Sequence, residues 1–328
     1  MKKILLTAIF VLIFSIQTVL ASFSDVSDNH PNYKAINYLY ANGIIIGYPD
    51  GTFRPEQNVL RAEAVKIIIA PLYETIEEAS ASPFPDVLTS DWYAKYVLKA
   101  KNEGIVAGYG DTGNFEGARN VSLVEYLKIL LIAYKINVDD YLNPSVQIFK
   151  DVADLNAWYI PYLYYASATN LIHADSNSYI WPAKQLTRAE VAEITYRLIV
   201  NIKGGETQLN LSMAEAEMIK ILQYLDENNI DLAEYSASNA IKYTQKAYDL
   251  APNESIVQAA KKIAEAFDYL VKCYRAGLEK NYTEAESKAQ SAWNAANDSI
   301  NLNSSVSTLA ENIKDIAHDM AELARASM

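Results

Sequence analysis

The sequence predicts a mainly α-helical protein, in which a pseudo-threefold module of three repeats is followed by an all-α helical bundle. Two observations support this prediction. One motif recurs three times in the first two-thirds of the chain, which is typical of a repeat architecture. Beyond residue 205, only Gly277 and Pro252 remain of the 11 glycines and 10 prolines, so the last third contains few residues that interrupt helices.

Each copy of the motif joins a glycine-rich turn to the start of a helix. In every copy an apolar residue and a glutamate stand ten residues apart, in the pairs Phe53 and Glu63, Phe115 and Glu125, and Ile180 and Glu190. A Phe-x-Asp-Val opening precedes each copy and begins at Phe23, Phe84 and Phe149. We therefore place the three repeats at residues 22–82, 83–147 and 148–202.

Apolar residues at helical spacing predict two helices in every repeat. The first helix is predicted over residues 33–42, 92–103 and 158–169, and it ends at a residue that tolerates a left-handed backbone, Gly43, Gly104 or Asn170. The second helix is predicted over residues 61–70, 123–133 and 188–200. Because one helical hairpin cannot enclose a core, we expect the three hairpins to pack around a common axis.

The region after the repeats is predicted to contain a linker or a sharp helix stop over residues 203–208 and a helical bundle over residues 209–328. Five helices are expected, with breaks near Asn228, Pro252, Asn281 and residues 301–305. Thr283 and Glu286 have the spacing of a capping box. The segments faintly resemble tetratricopeptide helices, but their separation does not fit a 34-residue period, which favours a bundle of another kind.

The first 21 residues have the pattern of a secretory signal peptide: Lys2 and Lys3, an apolar run to Leu20, and Ala21 before the expected cut. An uncleaved membrane anchor is the alternative, although the run barely reaches the roughly 20 residues that a membrane span needs. No later segment is apolar enough, so no transmembrane span is expected after cleavage.

Composition narrows the classes of partner and of chemistry. The 28 basic and 40 acidic residues give a net charge of −12, which argues against nucleic acid as a partner. Cys273 is the single cysteine, so we expect neither an intramolecular disulfide nor a cysteine-ligated metal. His318 beside Asp315 and Asp319 is interpreted as a solvated helix face. We predict no metal, no cofactor and no catalytic residue.

Several of the repeated residues have a structural explanation. Thr187 with Glu190, and Ser122 with Glu125, have the spacing of capping boxes, while Leu60 precedes Glu63 in the first copy. The predicted turn residues are Gly47, Asp50 and Gly51.

The arginines of the motif are not explained by capping. Arg61 and Arg188 lie in the first turn of a helix, where the macrodipole disfavours a cation, and Leu123 takes their place in the second repeat. A guanidinium matches the geometry of a carboxylate or phosphate, so we predict that both arginines bind an acidic ligand.

Two further sets recur. The opening aspartates, Asp25, Asp86 and Asp151, either accept bonds from turn amides or support a ligand. Trp92 and Trp158 begin the first helices of two repeats, with Asn32 in the remaining one, and are interpreted either as platforms for a sugar ring or as half-buried packing.

Four segments of the repeats together closely resemble the S-layer homology domain. They are Phe-Ser-Asp-Val at 23–26, Gly-Ile-Ile-Ile-Gly-Tyr-Pro-Asp-Gly-Thr-Phe-Arg-Pro at 43–55, Leu-Arg-Ala-Glu at 60–63 and Thr-Arg-Ala-Glu at 187–190. The resemblance covers residues 22–202. It implies a pseudo-trimeric helical module whose grooves hold secondary cell-wall polymers, often with pyruvylated sugars, and thus a secreted protein attached to the cell wall, S-layer or envelope.

The resemblance also implies which residues bind the polymer: Arg61, Arg188, Asp25, Asp86, Asp151, Trp92 and Trp158. Leu123, Asn32 and the segment 173–179 depart from the family pattern. At most two grooves should therefore be fully equipped. The sequence does not show which repeats share each groove.

We therefore expect a non-enzymatic envelope protein that binds an acidic secondary polymer and displays the bundle for a protein partner or for self-association. The alternatives are a wall-attached enzyme with its activity in the bundle, and an anchor that binds a peptidoglycan-linked glycan or an outer-membrane partner. Replacing Arg61 and Arg188 by alanine is expected to abolish wall binding with little change in melting temperature.

Overall fold

A computed structural model describes residues 23–139, 149–175 and 177–328, and the predicted signal peptide lies outside these ranges. Across them the protein is mainly helical, with eleven α-helices and only isolated β-bridges. The chain divides into two compact units. One contains the described residues up to Ser167 together with Tyr179–Ile199, and the other contains Ala168–Ser178 and Val200–Met328.

The predicted two helices per repeat are confirmed. Repeat 1 contains α1 (Tyr33–Ala41) and α2 (Arg61–Ile69), repeat 2 contains α3 (Ala94–Asn102) and α4 (Leu123–Ala133), and repeat 3 contains α5 (Ile160–Ala168) and α6 (Arg188–Lys203).

The ends of the first helices also follow the prediction, and α1 begins at Tyr33 as predicted, whereas α3 and α5 each begin two residues later than predicted. Gly43, Gly104 and Asn170 have φ angles of 68°, 72° and 64°, so the left-handed helix ends are confirmed. The start of α3 lies two residues later than predicted, because a turn in which Ala94 N donates to Asp91 O holds Trp92 outside the helix.

Three backbone hydrogen bonds close a ring between the repeats. Val59 N donates to Leu186 O at 2.9 Å, Leu186 N donates to Val121 O at 3.1 Å, and Val121 N donates to Val59 O at 2.9 Å. The three residues occupy equivalent positions, each two residues before the start of a second helix. This cyclic pattern makes the arrangement pseudo-threefold.

The start of each second helix is also held by the following repeat. The first amide of α2 (Arg61) donates to Arg119 O at 2.8 Å, that of α4 (Leu123) to Lys184 O at 2.8 Å, and that of α6 (Arg188) to Gln57 O at 2.9 Å. These bonds satisfy donors that a helix leaves unpaired at its N-terminus. Consequently every junction combines a helix of one repeat with the turn of another.

The core of the repeat unit is formed by the apolar stripes of these helices. α2 packs against α3 and α4, and Ile36, Val65, Ile68 and Leu130 are fully buried. Burying a large aliphatic side chain contributes roughly 1.5–3 kcal/mol, so this shared core stabilises hairpins that could not fold alone.

The five predicted helices of the last third are confirmed. They are α7 (Gly205–Asp226), α8 (Ile230–Leu250), α9 (Ser255–Leu278), α10 (Tyr282–Leu302) and α11 (Ser307–Ala326). Successive helices pack on one another, and their core is rich in alanines such as Ala240, Ala264 and Ala292. No described helix is both long enough and apolar enough to cross a membrane.

Of the two alternatives for residues 203–208, the structure has the sharp helix stop: α6 ends at Lys203 and α7 begins at Gly205, whose φ of 60° suits glycine. One detail of this unit differs from the expectations. The capping box at Thr283 and Glu286 is wrong, since α10 begins at Tyr282. Asn281 is its N-cap and accepts from Glu284 N, because a short side-chain amide is a favoured cap.

Candidate functional site

The three opening aspartates lie in the same structural setting. Asp25 accepts hydrogen bonds from Phe53 N and Arg54 N, both at 2.7 Å. The corresponding distances are 2.7 and 2.8 Å for Asp86, which binds Phe115 N and Glu116 N. For Asp151, which binds Ile180 N and Trp181 N, they are 3.0 and 2.7 Å.

Each aspartate stabilises a backbone conformation that its turn residue does not favour. Arg54, Glu116 and Trp181 have φ angles of 58°, 57° and 55°, in the left-handed region that costs a residue with a Cβ roughly 1–2 kcal/mol. Because both carboxylate oxygens are engaged by backbone amides, the geometry favours the turn-supporting interpretation of these residues.

The motif glutamates of all three repeats have the geometry of helix caps. Glu63 accepts from Leu60 N at 2.8 Å, Glu125 from Ser122 N at 3.0 Å, and Glu190 from Thr187 N at 2.9 Å. Thr187 Oγ1 also accepts from Glu190 N at 3.3 Å. These side chains satisfy donors at the helix starts.

The predicted turn residues shape the loop of repeat 1. Asp50 accepts from Thr52 N at 3.0 Å, and Gly51 has a φ of 80°. A Cβ at Gly47 would meet Thr52 O at 2.8 Å, so the close approach of the chain there requires glycine.

Arg61 reaches from α2 into the turn of repeat 2 and is only 5% exposed. Its Nε donates to Phe115 O at 3.1 Å, and its Nη2 donates to Ala107 O at 3.4 Å. The guanidinium carbon lies 4.6 Å from the centroid of the Tyr109 ring and 5.0 Å from that of Phe115. Burial lowers the pKa of Arg61, while Tyr109 and Glu125 act in the opposite direction.

Arg188 makes the same contacts with the turn of repeat 1. Its Nε donates to Phe53 O at 2.7 Å and its Nη2 to Ile46 O at 2.9 Å, and its guanidinium carbon lies 4.5 Å from the Phe53 ring centroid and 5.0 Å from that of Tyr48. Burial lowers the pKa of Arg188 as well.

These contacts correct one expectation about the arginines. Their carbonyl partners offset the unfavourable position in the first helical turn, so Arg61 and Arg188 join the repeats together. Replacing them should therefore lower stability, and the expectation of an unchanged melting temperature is withdrawn. Leu123 is the equivalent residue of α4 and is buried.

The two tryptophans are exposed platforms. Trp92 and Trp158 are 54% and 52% exposed, and a lysine lies over each ring. Lys66 Nζ is 5.5 Å from the centroid of Trp92, and Lys128 Nζ is 5.0 Å from that of Trp158. In both cases the lysine belongs to the second helix of the preceding repeat.

The equivalent place in repeat 1 has different chemistry. Asn32 Nδ2 donates to Glu193 Oε2 at 3.3 Å, and the other oxygen of Glu193 accepts from Arg197 Nε at 2.6 Å. The residue five positions after the first residue of the second helix is thus Lys66 in repeat 1, Lys128 in repeat 2 and Glu193 in repeat 3. Sequence reasoning missed these residues, although their fixed spacing from the helix start was visible.

The three junctions are therefore unequal. The first junction combines Arg61 and Lys66 of α2 with Trp92 and Tyr109 of repeat 2. The second combines Leu123 and Lys128 of α4 with Trp158 of repeat 3. The third combines Arg188 and Glu193 of α6 with Asn32 and Tyr48 of repeat 1. Only the first of these has both the arginine and the tryptophan.

A hydrogen-bond network surrounds Tyr109 at the first junction. Its hydroxyl donates to Glu125 Oε1 at 2.5 Å and accepts from Arg119, which also forms an ion pair with Glu125 at 2.6 Å. Burial alone would raise the pKa of Glu125, but the hydrogen bonds from Arg119, Tyr109 and Ser122 prevail and lower it to about 2. Arg119 was not predicted as a site residue.

Comparison with known proteins bears on the repeats. The family model of the S-layer homology domain matches residues 22–65, 83–123 and 148–192. The chain carries three S-layer homology domains. Together with the S-layer relatives described next, this match indicates a secreted protein attached at the cell wall or S-layer.

Known relatives share these domains in proteins of several kinds. S-layer protein EA1 of Bacillus anthracis is 33% identical over 134 residues, which cover 40% of this chain and 15% of EA1. S-layer protein sap of the same organism is 25% identical over 233 residues, 69% of this chain and 26% of sap. An amylopullulanase of Thermoanaerobacterium thermosulfurigenes is 27% identical over 180 residues, 54% of this chain and 9% of that protein. The chain spans about a quarter or less of the length of each of these three relatives.

Proposed function

We propose that the three S-layer homology domains bind an acidic secondary polymer of the cell wall, that the first junction is the principal binding site, and that the helical unit is displayed for assembly or for a protein partner. The observation that carries the proposal is that the first junction contains both the buried guanidinium of Arg61 and the Lys66 ammonium over the exposed ring of Trp92. Cation and aromatic ring together suit a sugar that bears an acidic group.

The electrostatics of the arginine support a ligand with negative charge. Every hydrogen bond from Arg61 to a described residue goes to a backbone carbonyl, so the buried cation forms no direct ion pair among those residues. A buried charge without a directly paired counterion is costly, and an anionic group of the polymer would supply one. Nη1 of Arg61 makes no hydrogen bond within the described part and is available for this contact.

Lys66 and Trp92 support the sugar part of the proposal. The exposed indole offers a flat apolar face of the kind that sugar rings stack on, and Lys66 places a second cation beside it. A charge-assisted hydrogen bond contributes about 1.5–3 kcal/mol. Binding at more than one junction would add avidity without a new type of contact.

The test is co-sedimentation of the full exported chain with purified cell walls, before and after hydrofluoric acid treatment that releases the secondary polymer. Binding should be lost with the polymer. Unchanged binding to the stripped walls would overturn the proposal and favour a peptidoglycan-linked glycan as the ligand.

A matched pair of variants tests which junction matters. Trp92→Ala and Trp158→Ala remove equally exposed rings that lie under equivalent lysines, but only Trp92 shares its junction with an arginine. We expect Trp92→Ala to weaken wall binding about tenfold or more, as for the loss of a stacking contact worth roughly 1–2 kcal/mol, and Trp158→Ala to have a smaller effect. Equal losses would refute the assignment to the first junction.

The helical unit contains the single cysteine of the chain. Cys273 is buried and burial raises its pKa to about 11, which suits a packing residue. No group of three or more metal-ligating side chains occurs in the described ranges.

A wall-attached enzyme is the second candidate, because one relative is named as an amylopullulanase. Release of soluble sugar or peptide from purified walls by the full chain, but not by heat-denatured chain, would favour the enzyme. Light scattering of the full chain at increasing concentration measures the self-association expected of an assembly domain.

A further inference from the structure

We infer that each of the two arginine-bearing junctions contains a second anion-binding arginine, Arg119 at the first and Arg54 at the third, which acts with Arg61 or Arg188 on one acidic group. This inference rests on the proposed function and names the residues that select for negative charge. Neither second arginine belongs to the helix-start motif, and the two come from different positions in their repeats.

At the first junction, two guanidinium groups share one tyrosine ring. The guanidinium carbon of Arg61 lies 4.6 Å from the centroid of Tyr109, and that of Arg119 lies 4.8 Å from the same centroid. Burial is the largest influence that lowers the pKa of Arg61, and Arg119 is near enough to lower it further. On this inference, both guanidinium groups face one carboxylate or phosphate group of the ligand.

The third junction repeats this arrangement with a different residue. The guanidinium carbon of Arg54 lies 3.8 Å from the centroid of Tyr48, and that of Arg188 lies 5.0 Å from it. Arg54 takes its position from the left-handed turn that Asp25 stabilises. Both junctions therefore place two arginines against one tyrosine ring, but the second arginine comes from a different position of the repeat in each.

The donors left over by the protein point to a ligand. In each pair the arginine at the helix start, Arg61 or Arg188, directs Nε and Nη2 to backbone carbonyls. Arg119 directs the same two nitrogens to Glu116, Tyr109 and Glu125, and Arg54 directs them to Thr52 and Asp50. In all four arginines, Nη1 has no hydrogen-bond partner within the described residues.

The acidic neighbours do not fill this role. Glu125 is occupied by Arg119, Tyr109 and the cap of α4, and Asp50 is occupied by Thr52 and Arg54. These carboxylates hold the second arginine in place and leave the arginine at the helix start without an ion pair among the described residues. Two cations at one junction attract an anion from outside.

The second junction provides an internal control. It has Leu123 in place of the buried arginine, and Lys184 occupies the position equivalent to Arg119 and forms the equivalent ion pair with Glu190. A lysine at this position therefore preserves the contact with the capping glutamate. It lacks the forked donors of arginine.

This comparison defines the experiment. Arg119→Lys and Arg54→Lys, each in the full exported chain, retain the positive charge and the local ion pair while removing the fork. Lys184→Ala is the matched control, because it removes an ion pair to a capping glutamate at the junction that lacks arginine. Binding to purified polymer-bearing walls and the thermal midpoint are measured for each variant.

We expect wall affinity to fall about tenfold in each lysine variant, as for the loss of one charge-assisted hydrogen bond, at a midpoint close to that of the wild type. Lys184→Ala should bind walls as the wild type does. Wild-type binding by both lysine variants would overturn the inference while leaving the proposed function standing. Failure of the wild type to bind walls would refute the proposed function itself.

Walls in which carboxylates have been blocked by carbodiimide-driven amidation identify the acidic group. If wild type and Arg119→Lys bind blocked walls with equal affinity, the arginine pair binds a carboxylate. If the wild type still binds blocked walls more tightly than Arg119→Lys does, the pair binds a phosphate. A wild type that binds blocked and phosphate-free walls unchanged would show that no anion is recognised, which would also overturn the inference.

Discussion

Replacing Asp86 by alanine tests whether the opening aspartates support the turns. The carboxylate accepts two backbone hydrogen bonds, at 2.7 and 2.8 Å, and one of them stabilises the left-handed conformation of Glu116. Hydrogen bonds to a charged group contribute about 1.5–3 kcal/mol each. Because Glu116 N is exposed, we take the lower value for both bonds and expect the free energy of unfolding to fall by about 3 kcal/mol.

Urea denaturation followed by tryptophan fluorescence measures this loss. Three of the four tryptophans, Trp92, Trp158 and Trp181, lie in the repeat unit, so the signal reports mainly on that unit. The same change at Asp25 and at Asp151 should have a similar cost, since the geometry is the same. Adding Glu116→Gly to the Asp86→Ala variant should restore about 1 kcal/mol, because glycine adopts the left-handed conformation without strain.

The reasoning would be refuted by an Asp86→Ala protein that unfolds at the wild-type urea concentration but no longer binds walls. It would equally be refuted if the variants at Asp25 and Asp86 lost stability and the variant at Asp151 did not. That result would tie the aspartates to the arginine-bearing junctions instead of to the turns.

Three further predictions concern the junctions and the caps. Arg61→Ala should lower the free energy of unfolding by about 2 kcal/mol and abolish most wall binding. Leu123→Ala should lower the free energy of unfolding by about 3 kcal/mol, while the protein that remains folded binds walls as the wild type does. Thermal melts measure the loss of stability, and co-sedimentation with walls measures the binding. Because the pKa of Glu125 is held at about 2, below its ordinary value of 4.5, its contribution to stability is fully present above pH 4.5 and is lost as the pH falls towards 2. Thermal midpoints of the wild type and of Glu125→Gln should therefore differ at pH 6 and converge near pH 2, and a constant difference would contradict the assignment. Asn281→Ala should destabilise by about 1 kcal/mol and Thr283→Ala by no more than about 0.5 kcal/mol in urea denaturation, and the reverse order would contradict the observed cap of α10.

The sequence was sufficient for most features that depend on neighbours along the chain. Helix stops at Gly43 and Gly104 follow from the backbone freedom of glycine, and the caps at Glu125 and Glu190 follow from a spacing of three residues. The period of the motif was enough to predict three hairpins with a shared core. Near Asn281 the local signals competed, and the asparagine prevailed as a cap over the capping box two residues later.

The composition of each junction was decided only by the tertiary structure. In the sequence, repeats 1 and 3 have the arginine (Arg61 and Arg188) and repeats 2 and 3 have the tryptophan (Trp92 and Trp158). This distribution suggested two grooves with an anion-binding arginine and two with a platform for a sugar ring. In the folded chain Arg61 contacts Tyr109 and Phe115 of the next repeat, and Lys66 lies over Trp92 of that same repeat. Arg188 contacts repeat 1, which has Asn32 in place of the indole.

The physical reason is the ring of backbone hydrogen bonds among Val59, Val121 and Leu186. This ring places the first turn of each second helix beside the turn of another repeat. A side chain at the helix start therefore contacts residues more than 40 positions away in the chain. Arg61 and Phe115 are 54 residues apart, and Arg188 and Phe53 are 135 residues apart. Local spacing determines which residues each repeat supplies, and the closure of the three repeats determines which of them meet.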